Sequence, residues 1–271
     1  MSQDKCSAPA PTPASTPASA SAPAPTPAST PAPVPAPAPT VSDPSLEPMS
    51  AFFTARVQEY DAHMLNNVPG CREGYAKMSA LLYTYAQSHA GSPLRLLDLG
   101  CGTGLELDEI FRLLPDTEVT GVDLACAMLN RLREKHGDKR LHLICGSYFE
   151  VDFGQNAFDC AVSFQSLHHF SHADKSGLYR RVFQALRPGG LYIECDYMVE
   201  TQREEDFWFA ENARIRAAQG VPTGAFYHFD TPCTVENQIR LLLGAGFSPV
   251  ERVFRAQNTT MLTALRPVSP K

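Results

Sequence analysis

The sequence has little that would anchor it in a membrane or hold it on nucleic acid. Nowhere in its 271 residues is there a run near the roughly 20 apolar residues that a bilayer-spanning helix needs. Residues Met1 to Cys6 lack the apolar core of a secretory leader. Positive charge is dispersed, and 23 Lys and Arg against 29 Asp and Glu leave a net charge of −6 with no basic face for a phosphate backbone. The eight cysteines (6, 71, 101, 126, 145, 160, 195 and 233) include no CxxC pair, and most lie in apolar, strand-like runs. These absences predict a soluble cytoplasmic chain with buried free thiols rather than disulfides, and with neither nucleic acid nor membrane as partner.

Residues 1–48 lack almost every side chain that builds a core. Fourteen of the 23 prolines fall there, among Ala, Ser and Thr, and Ala8–Pro17 (APAPTPASTP) recurs unchanged as Ala22–Pro31. With nothing to bury, the segment does not offset the entropy of ordering, so a disordered, semi-stiff spacer is expected. One domain is then expected over residues 49–271, with cap elements near 50–90 and 200–230. Activity is expected to survive removal of the tail.

From residue 94 the pattern alternates. Apolar, strand-like runs at Leu94–Leu99, Glu118–Asp123, Leu141–Gly146, Phe158–Phe164 and Gly190–Asp196 are interleaved with helical spacing at Leu107–Leu114, Met128–Lys135 and Leu178–Leu186. Strands joined by crossover helices make a doubly wound, Rossmann-like sheet. Helices over Phe52–Tyr85, 200–220 and Val235–Leu243, with strands at Pro249–Phe254 and Thr259–Leu265, complete a seven-stranded, mostly parallel sheet closed by an antiparallel hairpin and covered by a helical cap. Phe207, Trp208 and Phe209 are expected either to wall a pocket or to fasten that cap.

The most informative residues are Asp98, Gly100, Gly102 and Gly104 of LDLGCGTG, where the first strand turns into a helix. Glycines there let backbone approach a ligand at the carboxyl ends of the strands. A dinucleotide fingerprint would place its third glycine at position 105, which is Leu. Asp98 would repel a pyrophosphate but suits an ammonium group, and Asp123, ending the second strand, is placed for ribose hydroxyls. A ribose and a cationic amino acid without phosphate describe S-adenosylmethionine.

The ordered pieces LLDLGCGTG, TGVDLACAML, FDCAVSFQSLHHF and LRPGG resemble the class I S-adenosylmethionine-dependent methyltransferases, in particular the small-molecule type related to ubiquinone and menaquinone biosynthesis enzymes. The resemblance implies that the glycine loop, with Cys101 through its amide, cradles the methionine and ribose. It further implies that Asp123 binds ribose, that Leu124 packs on adenine with Met128 nearby, that Phe164, Gln165 and Ser166 line the other side, and that Tyr60 closes over the methionine end. Many relatives carry an Asp after the third strand, where this chain has Gly146, Ser147 and Tyr148. The adenine amino contact is left to Ser147, a backbone carbonyl or Glu150.

Methyl transfer from a sulfonium is an in-line displacement, so the chain must position an acceptor, exclude water and, where needed, remove a proton. Candidate bases are His63, His168 and His228, and candidate contacts to a small-molecule acceptor are His169, Asp196, Tyr197 and Tyr227. No metal is expected, because the His spacing matches no closed zinc pattern. The alternatives are a noncatalytic S-adenosylmethionine-binding regulatory module and an enzyme that modifies the sulfonium cofactor itself.

Overall fold

A computed structural model describes residues 45–89, 92–222 and 224–268. The Ala/Pro repeat lies outside the described residues. Leu46–Pro48 already belong to the packed chain: Leu46 is buried, its N–H donates to Gln219 Oε1 at 2.9 Å, and the Glu47 carbonyl accepts from the His228 N–H at 3.0 Å.

Seven strands form one sheet in the order β3-β2-β1-β4-β5-β7-β6. They are β1 (Arg95–Leu99), β2 (Glu118–Asp123), β3 (Arg140–Cys145), β4 (Phe158–Phe164), β5 (Leu186–Tyr197), β6 (Val250–Ala256) and β7 (Thr259–Leu265). The first five pair in parallel, and β7 runs antiparallel to both β5 and β6. Because β1 pairs with β2 on one side and β4 on the other, the connections leave it in opposite directions. A crevice therefore opens at its carboxyl end, the general ligand position of this architecture.

The period of two along each strand divides the core. Leu96, Val162 and Ile193 face one layer with Tyr75, Met78, Leu82 and Ile110, whereas Leu97, Leu99 and Ala161 face the other with Tyr179, Val182, Leu242 and Phe247. The helices are α1 (Met49–Asn67), α2 (Cys71–Ser88), α3 (Leu105–Leu113), α4 (Cys126–His136), α5 (His172–Ala185), α6 (Gln202–Ala218) and α7 (Val235–Gly244). Ser171 with Asp174 and Thr201 with Glu204 form capping boxes that start α5 and α6.

Two segments take a finer form than their local pattern shows, and one expectation needs correction. The segment Phe52–Tyr85 is two helices, broken at Val68–Gly70, where Pro69 lacks a donor and Gly70 takes φ 71° with its Cα against Ala256. The LRPGG run is the start of β5, with a register shift opposite Phe158–Cys160 absorbing it. A disulfide joins Cys126 to Cys145, against the expectation of free thiols throughout. Its physical reason is tertiary: Cys126 opens α4 just past β2, Cys145 ends the neighbouring β3, and parallel pairing brings their Cα atoms to 5.2 Å. Cys71, Cys101, Cys160, Cys195 and Cys233 are buried free thiols as expected. Trp208 packs on Phe229 and Phe209 on His172, so this aromatic run fastens the cap. Among the described residues no helix is long and apolar enough to cross a membrane.

Candidate active site

The loop from Gly100 to Gly104 crosses the crevice with φ of 73°, 49° and 72° at its three glycines. A side chain at Gly100 would displace Ser166, because a Cβ there would stand 2.0 Å from Ser166 Oγ. The Gly100 N–H donates to the Val122 carbonyl at 2.8 Å. The Gly102 N–H donates to Asp123 Oδ2 at 2.9 Å, while Asp123 Oδ1 accepts the Ala125 N–H at 2.8 Å. Asp123 thus joins the loops after β1 and β2. Burial pushes its carboxyl up to about 6, against the lowering effect of those two N–H groups.

A narrow slot runs over this loop, capped by side chains of α1. It is lined by ten of the residues expected for the cofactor: Tyr60, Gly100, Gly102, Asp123, Leu124, Met128, Ser147, Tyr148, Gln165 and Ser166. Phe170, at the end of the FDCAVSFQSLHHF piece, and Met49, Phe53, Phe149 and Phe226, which carry no sequence motif, complete it with His169. Phe149 stacks on Phe226 with centroids 5.3 Å apart.

Five expected residues lie outside the lining. Phe164 falls on the opposite sheet face by strand alternation and packs on Tyr75 at 4.2 Å. Gly104 is set against Leu132, and Cys101 packs beside Gly121. Gly146 extends the ladder by donating to the Asp123 carbonyl at 2.9 Å. Asp98 lies buried beneath the loop, hydrogen-bonded through its side chain to Glu106 on α3. Two hydrogen-bonded carboxyls share a proton. Burial pushes Asp98 well above the usual carboxylate range and Glu106 up to about 7, and Asp98 Oδ2 and Glu106 Oε1 find no protein partner among the described residues. Glu106 was not legible as a site residue because it sits on an amphipathic helix whose apolar stripe explains its neighbours.

Next to the slot is a cavity of about 730 Å³. Tyr60 lines it too, together with His63, His168, His169, Tyr197 and His228, five of the candidates for the acceptor side. Asp196 stands behind them, buried, with Oδ1 2.5 Å from His168 Nδ1 and further bonds from the backbone N–H groups of Leu167 and Tyr197. Tyr227 lines neither space; its backbone bridges Pro48. Asp230 is the residue the sequence did not signal. Its Oδ1 lies 3.5 Å from His168 Nε2 and 3.3 Å from His169 Nδ1. Burial lowers the His168 pKa, but Asp196 and Asp230 outweigh it and hold the ring above its ordinary value. Burial and adjacent imidazoles push His228, stacked on Phe52 at 3.5 Å, down to about 4.

The chain resembles known proteins in sequence and in fold. A family model described as a methyltransferase domain matches residues 96–190. Carboxy-S-adenosyl-L-methionine synthase of Chromohalobacter salexigens is 28% identical over 207 residues, 71% of this chain and 76% of that protein. The 24-methylenesterol C-methyltransferase 2 of Oryza sativa is 29% identical over 134 residues, and this chain spans only 35% of its length. Haemonchus contortus phosphoethanolamine N-methyltransferase 2, solved with S-adenosyl-L-methionine, superposes with a TM-score of 0.57 at 19% identity over 79% of this chain and 57% of that one, a likeness of fold.

Proposed function

We propose that this chain, which belongs to the class I S-adenosylmethionine-dependent methyltransferases, methylates a small-molecule acceptor held in the cavity beside the glycine loop. It is an enzyme, and its cofactor is S-adenosylmethionine. One observation carries the acceptor reading: Phe53, Tyr60, Gln165 and His169 line both the slot and the cavity, so the two spaces meet at one wall. In-line transfer needs donor and acceptor to meet in this way, out of bulk water.

The bound cofactor supplies an electrophilic methyl carbon on a sulfonium and departs as the neutral thioether S-adenosylhomocysteine. Asp123 would accept hydrogen bonds from the ribose hydroxyls through a carboxylate already fixed by the Gly102 and Ala125 N–H groups. Leu124, Met128 and Phe149 would hold adenine by apolar contact, with Ser147 and Tyr148 in the same lining. Asp98 and Glu106, buried with spare acceptor oxygens, suit an ammonium group that would release their shared proton. Tyr60 closes over Gly102. On the acceptor side Asp196 fixes His168, while His63 and His228 line the same cavity as candidate takers of an acceptor proton.

Calorimetric titration with S-adenosylhomocysteine, with NAD as control, tests the site. Micromolar binding of the first alone is expected, and the reverse result would discard the assignment. A second reading follows from the relatives named carboxy-S-adenosyl-L-methionine synthase, which span 71% to 80% of this chain in two cases. In that reading the chain modifies the sulfonium cofactor itself. Mass spectrometry of the nucleoside product separates the two: S-adenosylhomocysteine supports methyl transfer, and a cofactor heavier by one CO₂ supports the second.

A further inference from the structure

His168, His169 and Asp230 converge at the cavity wall with ligand atoms all within 4.8 Å of one another. The two His-to-Asp230 separations, 3.5 and 3.3 Å, are longer than the about 2.7–2.9 Å of a close charge-assisted hydrogen bond. They match instead the edge of a tetrahedron, about 3.3 Å, drawn by ligand atoms about 2.0–2.1 Å from a central ion.

The backing has the same character. The His168 Nδ1–H donates to Asp196 Oδ1 at 2.5 Å, which turns Nε2 toward Asp230, and a bound ion would take the lone pair of that nitrogen. A carboxylate behind a ligating imidazole is how proteins orient metal ligands. Asp196 is itself held by two backbone N–H groups at 2.8 Å. His169 Nδ1 also stands 3.3 Å from the Phe229 carbonyl; an ion would take that nitrogen's lone pair and leave the ring proton on Nε2. The His228 ring, centroid 4.9 Å from that of His169, adds a nearby imidazole.

A second convergence, His172 with Glu205 and Cys233, is less suited to a cation. The Glu205 oxygens are taken by the Thr234 N–H and Asn237 Nδ2, and the Lys175 ammonium lies 3.3 Å from Cys233 Sγ.

We propose that His168 Nε2, His169 Nδ1 and Asp230 form a site for one divalent transition-metal ion, zinc for preference, whose open position faces the acceptor cavity. Its catalytic role rests on the methyltransferase reading. The ion would take the acceptor's oxygen or sulfur as an anion, with the displaced proton passing to an imidazole of the wall or to water. The new bond forms from that atom to the methyl carbon, and the electron pair of the broken carbon–sulfur bond stays on sulfur. Binding of the ion does not depend on that role.

The test uses the full chain, stripped with a chelator and titrated with Co²⁺ and with Zn²⁺ against a chromophoric competitor. One ion per chain is expected, with the intense visible absorption of tetrahedral Co²⁺. Asp230→Asn and His168→Ala are expected to lower affinity at least 100-fold. Asp196→Asn is expected to lower it about 10- to 100-fold while keeping the spectrum. Cys233→Ser should bind like wild type. S-adenosylhomocysteine affinity within about threefold of wild type would certify that each variant is folded, since none of the four residues lines the slot. Absence of stoichiometric binding, or undiminished binding by folded Asp230→Asn and His168→Ala, would overturn the proposal. If the wild type bound the metal but not S-adenosylhomocysteine, the methyltransferase reading would fail and the metal site would stand.

Discussion

Asp123 reaches from the end of β2 to the loop after β1, where its Oδ2 accepts the Gly102 N–H at 2.9 Å. One carboxylate therefore shapes the glycine loop before any ribose arrives, and each of its oxygens has a protein donor of its own. Asp123→Asn keeps the size but replaces one acceptor by a donor facing an N–H. S-adenosylhomocysteine affinity should fall by about 1–3 kcal/mol, roughly 5- to 150-fold, read by calorimetry.

The glycines of the loop should not be equivalent. At Gly100 a methyl group would collide with Ser166, whose Oγ lies 3.2 Å from the Tyr148 hydroxyl, so two slot residues would move. At Gly102 the nearest atom to a new Cβ is 3.7 Å away, and only the positive φ opposes substitution. Gly100→Ala should therefore weaken S-adenosylhomocysteine binding more than Gly102→Ala. Equal affinities would mean that Ser166 and Tyr148 do not face the ligand.

Glu106 offers a pH signature. Burial raises its pKa to about 7 from an ordinary 4.5, so the folded chain binds more protons than the unfolded chain between those values. Stability linked to this group is therefore lost as pH rises through that window. Glu106→Gln should be near neutral at pH 5 and more stable than wild type by about 1–3 kcal/mol at pH 8. Thermal melts of the ligand-free proteins at the two pH values decide it; a stability difference independent of pH would show that Glu106 is ionised throughout.

Truncation should reveal where the packed chain starts. Deletion of residues 1–44 should leave the melting temperature unchanged. Deletion of residues 1–48 should lower it by several degrees, because it removes buried Leu46 and the Glu47 carbonyl that receives the His228 N–H.

The disulfide closes a 19-residue separation between the β2 and β3 ends. Closing a loop of this size stabilises by about 3 kcal/mol in the chain-entropy account. Reductant should accordingly lower the melting temperature by several degrees. Alkylation under denaturing conditions should modify two fewer thiols without reductant than with it, the missing pair being Cys126 and Cys145.

Much of this molecule is local in origin. The alternation of apolar strands with 3.6-period helices, the glycines after Leu99 and the acid ending β2 are short-range patterns, and each maps onto the element that forms. Their placement in one crevice follows from parallel pairing and crossover connections, which those patterns imply. Phe164 shows where local reading stops: it neighbours Gln165 and Ser166 in sequence, yet strand alternation turns it to the other face.

What lies far apart in the chain was decided only by the fold. Asp230 meets His168 across 62 positions, and Glu106 meets Asp98 where a helix start lies over a strand end. Cys126 meets Cys145 because two strand ends stand side by side. No spacing rule encodes such meetings, since they depend on chain paths through three dimensions. The sequence by itself determined the sheet, the glycine loop and the kind of ligand they suit, because those follow from backbone sterics and local periodicity. The tertiary structure alone decided which carboxylates, imidazoles and thiols face one another, because side-chain chemistry acts over a few ångströms and not along the chain.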